Sequence, residues 1–127
     1  MNSRQPHPVV HLELHTHDMS GARAFYEQLL RWRTERIDVR AGTYHALALG
    51  GGVDGGIVEC GVHQASWLPY VEVGDIEAMT EHARGLGASV LLESREGPAG
   101  WRSVVSTREG GEIALWQPKR SVVGGNG

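Results

Sequence analysis

Histidine, glutamate and histidine alternate along His11-Leu12-Glu13-Leu14-His15. In an extended chain successive side chains point to opposite sides, so these three project from one face. Two imidazoles and a carboxylate sharing a face can ligate a metal, move a proton or hydrogen-bond a polar ligand. At about 3.3 Å per residue the outer histidines stand roughly 13 Å apart, so only neighbouring pairs can act on one atom. Two protein ligands fall short of the three plus an open position that a catalytic zinc uses. Glu72 is a second carboxylate suited to general-base work, and apolar surroundings would raise the pKa of Glu13 or Glu72 toward neutrality. Cys60 has no histidine placed as in a nucleophile motif and reads as a structural thiol. The run Gly50 to Gly56 lacks the Gly-Lys-Ser/Thr ending of a phosphate loop and reads as a turn. His15 and His17 read as hydrogen-bonded within a polar cavity or facing solvent, and His45, His63 and His82, without ligand spacing, as surface residues. Trp32 and Trp101 are expected to fill core space.

The elements that must position these side chains are legible from periodicity. Over Val9 to Thr16, Val10, Leu12 and Leu14 face a core and the polar triplet faces away. Asp18 stands where an N-cap would, and Ala22, Phe25, Tyr26, Leu29 and Leu30 recur at helical spacing, which predicts a helix over 19–31 closed by the cations Arg31 and Arg33. Strands are predicted at 34–40, 43–49 and 56–60, separated by Ala41-Gly42 and the Gly50 to Gly56 stretch. From Trp67 the order starts again. An offset of 57 residues places Leu68 on His11, Tyr70 on Glu13, Glu72 on His15 and Asp75 on Asp18. Ile76, Met79, Ala83 and Leu86 trace a second helical face ending at Gly87, and strands follow at 88–93, 101–107 and 112–117. Each module is near 55 residues with one helix, too small for a full core, so a paired α+β domain is expected.

The 127 residues, 13.8 kDa, match one such domain. It is expected to span 9–118, with modules at about 9–60 and 67–118 and a flexible tail at 119–127. Twelve Lys and Arg against fifteen Asp and Glu give a formal charge of -3 with no basic stripe, which argues against nucleic acid as a partner. No run of about 18 apolar residues suggests a membrane span, and Met1 to Pro8 has no apolar stretch of the signal-peptide kind. With a single cysteine, a reducing cytoplasm is the expected compartment.

His11 to Asp18, followed by Phe25-Tyr26 and Leu29-Leu30-Arg31-Trp32, resembles the vicinal oxygen chelate superfamily of glyoxalase I, bleomycin-resistance proteins and ring-cleaving dioxygenases. The second half carries the likeness through Trp67 to Ile76, Leu86-Gly87-Ala88 and Gly110 to Pro118, and the closing Leu-Trp-Gln-Pro is similar to the glyoxalase-like branch. The resemblance implies two tandem βαβββ modules forming a cup-shaped mixed sheet with helices outside, and commonly a homodimer. Strand alternation would then turn His11, Glu13, His15, Leu68, Tyr70, Glu72, Ala114 and Trp116 into the cup. Trp116 would be free to stack on a planar ligand. Metal enzymes of the superfamily take a ligand from the first and last strand of each module. Carried onto this chain, the first-strand position, seven residues before the capping Asp18, is His11; its counterpart is Leu68; the last-strand position is Ala114; and Glu59 lies near the fourth, its register left open by the glycine run.

Three functions follow from that reading. The first is a cup that binds a small organic molecule with no cofactor expected. The second is an enzyme, through a divalent metal on a rearranged His11 and Glu59 site or through Glu13 or Glu72 as base. Glyoxalase I activity itself is not expected, because the resemblance asks for a metal and for Glu where Ala114 stands. The third is a dimeric protein whose cup takes a partner segment.

Overall fold

The computed structural model describes residues 7–39 and 42–119; Ala41 of the predicted turn and the tail after Lys119 lie outside the described residues. Element order is β1 (Val9–Thr16), α1 (Met19–Leu30), β2 (Arg33–Val39), β3 (Gly42–Ala48), β4 (Asp54–Glu59), β5 (Ser66–Glu72), α2 (Ile76–Gly85), β6 (Ser89–Glu96), β7 (Gly100–Thr107) and β8 (Gly111–Pro118). This is an α+β fold of eight strands and two helices, βαβββ written twice. Two compact units divide it: Val9–Tyr70, and a second that starts at Val71 and takes in Pro8.

In the first unit the strands run β2-β3-β4-β1-β5, with β1 parallel to β4 and the β2–β3 and β3–β4 pairs antiparallel. Leu14, Ile57, Leu47 and Met19 form its core beneath α1, with Ala22, Tyr26, Trp32 and Trp67 packed against it. Tyr26 stacks on Trp32 at 5.4 Å and meets Trp67 edge-on at 5.5 Å. The helix begins because Asp18 accepts the Gly21 N–H through its side chain at 2.9 Å, satisfying an otherwise orphaned donor. It ends one residue before the predicted stop. Arg31 leaves in the left-handed conformation, φ 58°, as the C-cap, so the cation turns the chain there instead of complementing the last helical turn. The α1 face is narrower than its apolar spacing suggests: Phe25, Leu29 and Leu30 are exposed, because only the Met19, Ala22 and Tyr26 side of the helix meets the strands.

The second unit repeats the plan. Strands β8-β7-β6 pair antiparallel, and Val73, just past β5, donates its N–H to the Trp116 carbonyl at 2.8 Å. Val73, Ile76, Val105 and Leu115 form the core under α2, with Met79, Ala83 and Trp101 against it. Asp75 caps α2 through the Ala78 N–H at 3.1 Å. Leu86, expected on the buried face, is exposed, because α2 stops at Gly85 and the chain turns through Gly87 at φ 103°.

The glycine run divides differently from the expectation. Gly50, Gly51 and Gly52, with φ of 83°, 67° and 81°, make the turn, whereas Asp54, Gly55 and Gly56 belong to β4. At Gly55 a Cβ would lie 2.7 Å from Leu49 Cδ1, so the missing side chain is what lets Leu49 fold over the strand.

Candidate functional site: a clamped carboxylate

Strand β1 buries Leu14 and Thr16 toward α1 and turns His11, Glu13 and His15 to the opposite face, as its alternation requires. On that face Glu13 sits between its neighbours. Its Oε1 is 2.7 Å from His15 Nε2 and accepts the Tyr70 hydroxyl at 3.0 Å, while its Oε2 is 3.6 Å from His11 Nε2. Tyr70 comes from β5, the strand beside β1, and its ring meets the His11 ring edge-on at 4.9 Å. Gly56, paired with Glu13 in register, lies under the His11 ring, whose Cε1 and Nε2 are 3.7 Å from where a Cβ would stand. The cluster is partly sheltered yet reachable, the side chains of His11, Glu13 and His15 being 24%, 15% and 28% exposed.

Burial alone would push the Glu13 carboxyl up. The His11 imidazole 3.6 Å away, the hydrogen bonds from His15 and Tyr70 and the charge of His15 together outweigh it and hold Glu13 well below the ordinary glutamate range. The expected upward shift of Glu13 is therefore reversed: apolar neighbours were anticipated, and two donors and a nearby imidazole converge instead. Such a carboxylate is ionised and a weak base.

Glu59 is not beside His11. It pairs with Thr16, which places it on the α1 side, and its Oε1 accepts the Met19 N–H at 3.1 Å at the start of α1. Gln117 does the same for α2, its Oε1 accepting the Ile76 N–H at 2.8 Å. Glu59 thus corresponds to Gln117, an offset of 58 where the earlier elements keep 57, and the counterpart of Ala114 on β4 is Gly56. The four positions at which the superfamily holds a metal carry His11, Gly56, Leu68 and Ala114. Of these four residues only His11 has a side chain that can donate an electron pair to a metal. Among the described residues no group of three or more His, Cys, Asp or Glu side chains converges in a way that could hold an ion.

The other anticipated residues are placed as follows. Leu68 and Tyr70 are buried on β5. Glu72 is half-buried in the second unit, its N–H donating to the Pro8 carbonyl at 2.9 Å. Ala114 is fully buried on β8, and the half-buried Trp116 lays its ring over Gly100. Trp32 and Trp101 fill core space as read, His17, His63 and His82 are exposed, and Cys60 is a half-buried free thiol. His45 is a correction. It is buried under α1, with Nε2 3.0 Å from Arg23 Nη1 and Nδ1 facing the Met19 sulfur. Desolvation and the cations Arg23 and Arg36 hold it below the usual histidine range. The alternation of β3 with Leu47 carried that signal, which ligand-spacing logic passed over.

Two αβ units of this topology with a polar cluster on the helix-free face define a glyoxalase-like class, and comparison agrees. Residues 9–116 match the glyoxalase-like domain family, and the chain belongs to it. CFP32 of Mycobacterium tuberculosis, whose name assigns it provisionally to the glyoxylases, is 27% identical over 119 residues, covering 87% of this chain. The chain spans 46% of that relative's length. Among solved structures, a glyoxalase/bleomycin resistance protein/dioxygenase superfamily member from Vibrio splendidus superposes with a TM-score of 0.62 at 21% identity, covering 89% of this chain and 99% of that one. Methylmalonyl-CoA epimerase from Mycobacterium tuberculosis gives 0.59 at 18% identity, covering 91% of each chain. At these identities the likeness is one of fold.

Proposed function

We propose that this protein binds a small organic molecule on the helix-free face of β1 and β5, with His11, Glu13, His15 and Tyr70 as polar contacts and no catalytic metal. The observation that carries the reading is the clamped Glu13: its three partners fix a polar constellation that stays accessible to solvent. The loss of donors at Gly56, Leu68 and Ala114 supports it, since a metal-stabilised oxyanion then has nothing to hold the metal.

The test is metal stoichiometry on tag-free protein prepared without chelator, beside the His11→Ala variant, followed by native mass spectrometry of the same material. Metal far below one per chain and unchanged in the variant, with a retained or titratable small molecule, is expected. A stoichiometric metal that disappears with His11 would overturn the reading.

A further inference from the structure

We propose that His45 and Arg23 form an acid-release latch: the neutral His45 ring holds α1 on β3 through Met19 and Arg23, and protonation of that ring frees the helix. The inference is independent of what the Glu13 site binds.

His45 is buried, and both of its ring nitrogens meet the same helix. A guanidinium only donates hydrogen bonds, so Nε2, 3.0 Å from Arg23 Nη1, presents its lone pair. The one N–H of the neutral ring is then on Nδ1, which faces the Met19 sulfur, a weak acceptor. Met19 and Arg23 stand one turn apart on α1, so the ring grips the helix at two neighbouring points of one face. Among charged groups facing the ring, α1 brings Arg23 and Glu27 and β2 brings Arg36, the register partner of His45, while β4 places the apolar Ile57 opposite. Glu27 favours the proton but is already engaged, accepting the Thr34 hydroxyl at 2.6 Å and lying 3.7 Å from Arg23 Nε. Glu59 is taken by the Met19 N–H. Burial and the cations Arg23 and Arg36 therefore prevail and hold the ring neutral below the usual histidine range.

A proton taken from water onto Nε2 would set N–H against N–H and cation against cation. Arg23 would lose its acceptor there and be repelled, whereas β3 keeps its ladders to β2 and β4. The second unit shows that the fold does not require a titrating group at this place. Thr80 is the fifth residue of α2, as Arg23 is of α1, and Ser103 stands opposite Leu115 in register, as His45 stands opposite Ile57. Those two buried residues join helix to sheet through their hydroxyls at 2.8 Å, a contact that does not titrate near neutrality.

Three measurements on the full chain decide the matter. Long-range ¹H–¹⁵N NMR at neutral pH should show His45 as the Nδ1–H tautomer. Hydrogen exchange of the α1 amides, corrected for its intrinsic pH dependence, should show local opening that rises by up to about tenfold per pH unit below the unfolded histidine value of about 6.5, with β1 and β4 unchanged. Staying above about pH 4.5 leaves Glu13 ionised throughout. His45→Gln keeps an acceptor for Arg23 and a donor for Met19 but cannot titrate, so its α1 opening should be flat over that range. Arg23→Gln removes the opposing cation, so His45 should titrate at higher pH by NMR. An Nε2–H tautomer, pH-dependent opening retained in His45→Gln, an unshifted His45 titration in Arg23→Gln, or β1 and β4 opening together with α1 would each overturn the proposal.

Discussion

Glu13 has neighbours that hold it charged, and this has a consequence for acid stability. Its carboxyl lies below the unfolded glutamate value of about 4.3, so it stabilises the fold fully above that pH and the contribution is lost as pH falls below it. Glu13→Gln should therefore unfold at lower urea near neutrality, by about 1–3 kcal/mol, and show a flatter loss of stability between about pH 5 and pH 2. Urea titrations across that range check it; parallel curves for the two proteins would mean that the contacts do not hold the charge. The shared face of His11, Glu13 and His15 was legible from a period of two. The sign of the Glu13 shift was not, because it depends on how closely donors approach and on Tyr70, which arrives from a strand 57 residues away.

At the scale of elements, the caps at Asp18 and Asp75 and both helix starts could be read from residue type, since an N-cap is a local hydrogen bond to a residue three places on. The face of β4 could not. Three glycines with positive φ can absorb an extra residue at no steric cost, so the chain does not announce the slip from 57 to 58 that turns Glu59 toward α1. Two glycine substitutions test the strand packing. Gly56→Ala meets only ordinary contacts, 3.6 Å to the His45 carbonyl and 3.7 Å to His11, and should stay within about 0.5 kcal/mol of the parent. Gly100→Ala drives a methyl into the Gln117 carbonyl and to within 2.9 Å of the Trp116 ring, and should cost about 1–3 kcal/mol or more. Thermal denaturation of the pair distinguishes them, and equal losses would refute the packing of β7 against β8.

For the whole molecule, the assembly proposed from the family resemblance is a homodimer, and sedimentation equilibrium should return twice the 13.8 kDa chain mass. A monomer at micromolar concentration would remove that proposal. Among the described residues no helix is long and apolar enough to cross a membrane. The sequence by itself determined the α+β class, the doubled βαβββ order, the helix caps and the polar face of the first strand, because each depends on periodicity or on a hydrogen bond made within a few residues. Tertiary structure decided which side chains meet: the clamp on Glu13, the burial of His45 against Met19 and Arg23, and the assignment of Glu59 to a helix start instead of a ligand set. Those outcomes turn on register and on ångström-scale approach between distant strands, quantities that a linear pattern of residue types does not contain.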